Sequence, residues 1–181
     1  MDNAAWFAYS ELGGIFWPIK VTKVEIKMKV LVDADACPVR RIVEEVAKEF
    51  NVKVIMIIDS SHILQSDYSE IITVAQGKDA VDLALINRTE ANDIVVTQDY
   101  GVAALALGKH AFAINQNGLV YTDDNIDQML FERHISQRIR RQGGRTCSLK
   151  KRTDKDDERF RKKFRALLLK ALRQHSDKNI R

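Results

Sequence analysis

From residue 29 onward the chain alternates short, β-branched apolar runs with segments of helical periodicity. This alternation leaves few folds open, because strand–helix–strand units close into right-handed crossovers around a parallel sheet. Strands are predicted over 29–33, 52–58, 71–75, 94–97, 111–114 and 119–121. The run at 52–58 is apolar almost throughout, as in a strand buried on both faces. Helices are predicted over 39–50, 79–87 and 100–107, then from 124 or 125 to about 141, and over 156–172. Pro38 suits the start of the first helix. Asn51 and Gly108 read as stops, and Asn117-Gly118 as a turn. The expectation is an α/β fold: a mostly parallel sheet, helices on both faces, and a basic C-terminal helical extension.

Three regions are expected. Residues 1–27 hold both tryptophans, Trp6 and Trp17, and show no sustained period. Met28 opens the first clean strand, so one reading takes it as the natural start and residues 1–27 as an extension foreign to the native protein. Residues 28–146 would form the α/β domain and 147–181 a basic helical tail, whose last helix carries Phe160, Phe164, Leu167 and Leu168 as one apolar stripe.

The aspartates are placed by this topology. Asp33 ends the first strand and Asp35 follows two residues later. Asp79 opens a helix and shares a face with Asp82. Asp99 lies just beyond the strand ending at Thr97. The C-terminal ends of parallel strands share one edge, where open α/β sheets bind ligands. Asp33, Asp35, Asp79, Asp82 and Asp99 can therefore converge there, with Asp59 able to join the rim. Carboxylates so gathered repel one another unless a cation sits among them. An all-oxygen set suits Mg²⁺ or Mn²⁺, which can bind phosphate and activate water. The plainer alternative is that each aspartate caps a helix or turn, and Asp35 and Asp79 are suited to that. Asp93 begins its strand, so it belongs to the opposite edge.

Charge is unevenly spread. Residues 1–131 carry 11 Lys and Arg against 19 Asp and Glu, and residues 132–181 carry 18 against 6. Basic clustering of this kind points to a polyanion, most often nucleic acid. The alternative is a solvated tail that only aids solubility. No run of about 18 apolar residues occurs, so no membrane span is expected. Two cysteines, Cys37 and Cys147, make no disulfide framework and fit a reducing cytoplasm. Cys37 reads as a small buried residue rather than a nucleophile. His62, His110, His134 and His175 show no metal-ligand spacing and read as structural or exposed.

The chain resembles the YaiI/YqxD family of bacterial proteins. The resemblance rests on Val32-Asp33-Ala34-Asp35-Ala36-Cys37-Pro38-Val39, Gly77-Lys78-Asp79-Ala80-Val81-Asp82 and Asn92-Asp93-Ile94-Val95-Val96-Thr97-Gln98-Asp99-Tyr100. It continues more weakly to Arg140-Arg141-Gln142-Gly143-Gly144-Arg145-Thr146 and covers about residues 28–173. The chain departs from the pattern at Cys147-Ser148-Leu149, and at Gly101-Val102, where proline and leucine are usual. The family is in turn similar to the PIN-like nucleases. There an aspartate ends the first strand, acidic residues open a central helix, and another aspartate follows a Val-Val-Thr strand. Asp33, Asp79, Asp82 and Asp99 stand at those positions. The resemblance implies a metal-dependent nuclease acting on RNA.

Three readings follow. In the first, the chain is a Mg²⁺- or Mn²⁺-dependent nuclease for RNA or single-stranded nucleic acid. Asp33, Asp79, Asp82 and Asp99 would hold the metal, with Asp33, Asp35 and Asp99 catalytic. Arg140, Arg141, Arg145, Lys150, Lys151 and Arg152 would grip the phosphate backbone without reading bases. In the second, the chain is a non-enzymatic RNA-binding protein on the same fold, with Arg133 and Arg138 among its contacts. In the third, Asp33 and Asp35 act as the nucleophile and acid of a haloacid-dehalogenase-type phosphatase.

Overall fold

The computed structural model describes residues 7–10, 17–20, 27–35, 37–141 and 151–179. Its centre is a six-stranded sheet. In chain order the elements are β3 (Lys29–Asp33), α1 (Arg40–Glu49), β4 (Lys53–Asp59), β5 (Glu70–Val74), α2 (Ala80–Arg88), β6 (Ile94–Val96), α3 (Tyr100–Gly108), β7 (Phe112–Ile114), β8 (Val120–Tyr121), α4 (Asp123–Arg141) and α5 (Asp154–Asn179). They follow a separate antiparallel ribbon of β1 (Phe7–Ser10) and β2 (Trp17–Lys20), with Phe7 opposite Lys20. That ribbon was not read in the sequence, because four residues per strand give too few alternations to show a period.

The sheet order is β5-β4-β3-β6-β7-β8, parallel throughout except for β8. The chain runs outward from β3 through β4 to β5, then returns to add β6 on the other side of β3. The reversal lies between β3 and β6, where Val32 pairs with both Met56 and Val96. At such a point the adjoining connections depart to opposite faces and open a crevice beyond the strand ends.

Alternation along the strands divides the core in two. On one face Val30, Val32, Val54, Met56, Ile94 and Val96 pack against α1 and α5. On the other, Leu31, Ile55, Ile57, Val95 and Ala113 pack against α2, α3 and the start of α4. Thus α5 forms a wall of the core. Phe160, Phe164, Leu168 and Ala171 are fully buried, and the rings of Phe160 and Phe164 stack with centroids 5.6 Å apart. Part of its basic face is neutralised against α1, through Arg161–Glu45 at 2.6 Å and Arg165–Glu49. Gly118, at φ +81°, lets the β7–β8 turn approach this helix; a Cβ there would lie 3.3 Å from Phe160 Cα.

Element ends moved from expectation, most at α5, which runs on to Asn179. Asn51 stops α1 with φ +53°, but α3 runs through Gly108, and His110, at φ +61°, is its left-handed residue. Helix α4 begins at Asp123, ahead of the expected cap. Asp93 anchors the opposite edge, accepting from Lys29 N at 2.9 Å, Glu90 N at 2.8 Å and Lys29 Nζ at 2.9 Å. Among the described residues, no helix is long and apolar enough to cross a membrane.

Candidate functional site

The crevice beyond β3 and β6 is built from strand-end residues. Asp33 is the last residue of β3; Thr97 follows β6 and is buried. The Asp33 carboxyl is pushed up to about 6, chiefly by burial and then by the charges of Asp82 and Asp35. Hydrogen bonds donated by the Asp35 backbone N–H and the Thr97 hydroxyl offset only part of this. Thr97 also accepts the Asp99 N–H at 3.1 Å, so one hydroxyl ties the two aspartates together. A pocket of about 20 Å³, lined by Asp33, Cys37, Val96, Thr97, Gln98 and Gln116, opens here, with room for a water or an ion.

A larger groove of about 340 Å³ lies beside it, bordered by α2, α3 and α4. Asp79, Asp82, Asp99 and Arg133 form its polar rim; Leu83, Ile86, Val102 and Leu105 form its apolar wall. Asp82 is raised by burial and then by the charges of Asp99 and Asp79. Asp79 precedes α2 at φ +59°, and its side chain makes no capping bond. A left-handed aspartate is tolerated but uncommon, and such residues collect at functional sites.

Asp99 behaves differently. Burial alone would raise it, but the Arg133 guanidinium and two backbone N–H groups outweigh that and hold it below the usual carboxylate range. Oδ1 accepts from Gly101 N at 2.7 Å and Val102 N at 3.3 Å; Oδ2 accepts from Arg133 Nη1 at 2.8 Å. The capping alternative therefore applies to Asp99. Gly101 stands where proline is usual in the resembled pattern, and its N–H is a donor that proline lacks.

Asp35 turns toward β4. Its Oδ1 and Oδ2 accept the Asp59 N–H at 3.0 and 3.3 Å, and Oδ1 lies 3.2 Å from His62 Nδ1. Asp59 Oδ1 lies 3.0 Å from the same nitrogen. Among the described residues, Asp35, Asp59 and His62 are the only trio of His, Cys, Asp or Glu whose ligand atoms all lie within 4.8 Å of one another. The other aspartates are spread over two cavities, Asp33 at the small pocket and Asp79, Asp82 and Asp99 at the larger groove. That still suits Mg²⁺, which is held by one or two carboxylates and keeps several waters. Asp33 and Asp82 are raised first by burial and then by neighbouring carboxylates, with Arg133 pulling Asp82 the other way. The residues present thus fit a hard divalent cation.

Two groups at this edge escaped the sequence reading. Arg133, expected only among the nucleic-acid contacts, also sits among the acids, with Nη1 2.8 Å from Asp99 Oδ2. His62, expected to be structural or exposed, is exposed, and its ring nitrogen lies between the Asp35 and Asp59 carboxylates. Of the expected backbone contacts, Lys151 is exposed. Arg152 is engaged inside the protein, through Nε to Asp157 at 2.5 Å and Nη1 to the Gln116 carbonyl at 2.8 Å. Arg145 and Lys150 lie outside the described residues, as do Cys147 and the side chains of Arg140 and Arg141. Cys37 is buried, and that burial pushes its thiol up to about 11. In a Cys147→Ser background a maleimide should therefore label Cys37 far more slowly in the native protein than in the denatured chain, and comparable rates at pH 7 would show an accessible thiolate.

The family model described as "Uncharacterized BCR, YaiI/YqxD family" matches residues 31–170, which include the whole of this edge. A UPF0178 protein of Ruminiclostridium cellulolyticum is 58% identical over 142 residues, spanning 78% of this chain and 91% of its own. One from Lachnoclostridium phytofermentans is 58% identical over 144 residues, covering 78% and 97%. UPF0178 protein CA_C2825 of Clostridium acetobutylicum is 54% identical over 145 residues, covering 79% and 98%. No solved structure matches significantly. With the match running from within β3 into α5, the chain belongs to the YaiI/YqxD family.

Proposed function

We propose that this chain is a divalent-metal-dependent phosphodiesterase that cleaves RNA or another single-stranded nucleic acid in the cytoplasm. The observation that carries the reading is the pair Asp33 and Asp82, both held above the usual carboxylate range by burial and by neighbouring carboxylates. Acids in that condition are stabilised by a cation between them. Asp33 and Asp82 would hold Mg²⁺ or Mn²⁺, with Asp79 and Asp99 bordering it. When bound, the ion supplies a more acidic water and charge stabilisation at the phosphodiester.

The chain's own residues supply the rest. Thr97 orients Asp33. The Gly101 and Val102 N–H groups fix Asp99. Asp35, tied to the end of β4, adds negative potential beside Asp33. Arg133, Arg138 and Lys151 would meet the phosphate backbone, with Arg140, Arg141, Arg145 and Lys150 further along the basic stretch. Such contacts position a strand without reading its sequence.

One observation favours the non-enzymatic RNA-binding reading: Arg133 already neutralises Asp99. The two are separated with end-labelled single-stranded RNA, in Mn²⁺ and in EDTA, comparing the wild type with Asp82→Asn. Cleavage in Mn²⁺ alone, lowered about a hundredfold or more by Asp82→Asn, is expected. RNA binding without cleavage, unchanged by Asp82→Asn and by EDTA, would favour the binding protein.

A further inference from the structure

We propose that Arg133 is the phosphate-contacting residue of this site and that, in the free protein, it occupies the position from which Asp99 would meet the metal. The inference rests on the metal-dependent reading above. Asp99 has two oxygens. Oδ1 is taken by the Gly101 and Val102 N–H groups at the start of α3, and Oδ2 by Arg133 Nη1 at 2.8 Å. Ligation through Oδ2 therefore displaces a charged hydrogen bond. The guanidinium also favours ionisation of Asp82, which places its charge within reach of both acids.

Arg133 is free to make the exchange. Its side chain is 38% exposed, lines the groove and lies 5.9 Å from the centroid of the Tyr100 ring. A half-exposed guanidinium trades a carboxylate for a phosphodiester readily, because both present oxygens that match its fork. The basic end of α4 continues beyond it in the chain, with Arg138 exposed. Metal and arginine thus compete for Asp99 until a phosphate draws the arginine off, which couples metal loading to nucleic acid.

The two halves of this device predict effects of opposite sign. Mn²⁺ affinity of the intact protein is read by paramagnetic resonance of the free ion, without any cleavage assay. Arg133→Gln should bind Mn²⁺ roughly tenfold more tightly than the wild type, because a cation has left the rim. In EDTA the same variant should bind a short oligouridylate more weakly, with the slope of log affinity against log salt reduced by about 0.7. Arg133→Lys keeps the charge but loses the fork, and should fall between the two on Mn²⁺ affinity. Unchanged or weaker Mn²⁺ binding by Arg133→Gln, with the wild type binding Mn²⁺, would overturn the role of Arg133 and leave the nuclease reading standing. An unchanged salt slope would remove its phosphate contact. No Mn²⁺ binding by either protein would overturn both readings together.

Discussion

Asp33→Asn is expected to melt a few degrees above the wild type at pH 7 in metal-free buffer, and to lose most of the response to Mn²⁺. At that pH the Asp33 carboxyl, pushed up to about 6, is ionised at a cost to the folded state. The sign follows from proton linkage. Between the ordinary carboxyl value near 4 and about 6, the folded protein holds this proton more tightly than the unfolded chain does. The penalty is therefore absent below about pH 4, grows as the pH rises to about 6, and is constant above. The gap between variant and wild type should close on acidification over the same window. After discounting for solvent at this half-buried group, about 1 kcal/mol is at stake, or roughly 2–4 °C for a chain of this size. Added Mn²⁺ stabilises whatever binds it, by about 2.7 kcal/mol at a hundred times the dissociation constant. Paired melting curves at pH 4.5 and 7, with and without Mn²⁺, measure all of this. Identical melting of the two proteins under every condition would remove Asp33 from the site.

The second large effect is on stability. Phe164→Ala is expected to cost about 3–5 kcal/mol, since Phe164 is fully buried and stacks on Phe160 beneath the sheet. Denaturant unfolding measures it. Arg161→Gln, which removes only the exposed pairs with Glu45 and Glu158, should cost under about 1 kcal/mol. The contrast separates the two roles of α5: an apolar wall of the core, and a charged outer surface. Deleting the helix to probe nucleic-acid binding would remove the wall along with the charge. Single charge changes on its outer face are the usable probes. A small cost for Phe164→Ala would mean that α5 docks loosely.

The sheet edge was legible because its signals are local. A β-branched run ending in Asp33, another ending at Thr97, and the right-handed crossover rule together place both strand ends on one rim. The aspartates on the loops and helices that follow belong to the same edge for the same reason. Arg133 was not legible as part of the site. It lies 34 residues from Asp99 in the chain and reaches it because α4 packs on α3, a choice that the weakly amphipathic sequence of α4 does not announce. His62 meets Asp35 only because β3 and β4 are neighbours and a turn after Asp59 brings the ring back. The apolar stripe of α5 was plain, but a stripe does not say which face of a sheet it covers. Here α5 shares one buried apolar cluster with α1, and the pairs from Glu45 and Glu49 lie at its outer margin. The left-handed Asp79 has no counterpart in a pattern of side chains at all.

Mn²⁺ soaked into crystals of the wild-type protein, and located by its anomalous scattering, shows whether this sheet edge holds a cation. An ion is expected in the crevice between β3 and β6, with an oxygen of Asp33 or Asp82 roughly 2.0–2.2 Å away and waters completing its shell. An ion found only among Asp35, Asp59 and His62, or no ion at this edge at saturating Mn²⁺, would contradict it.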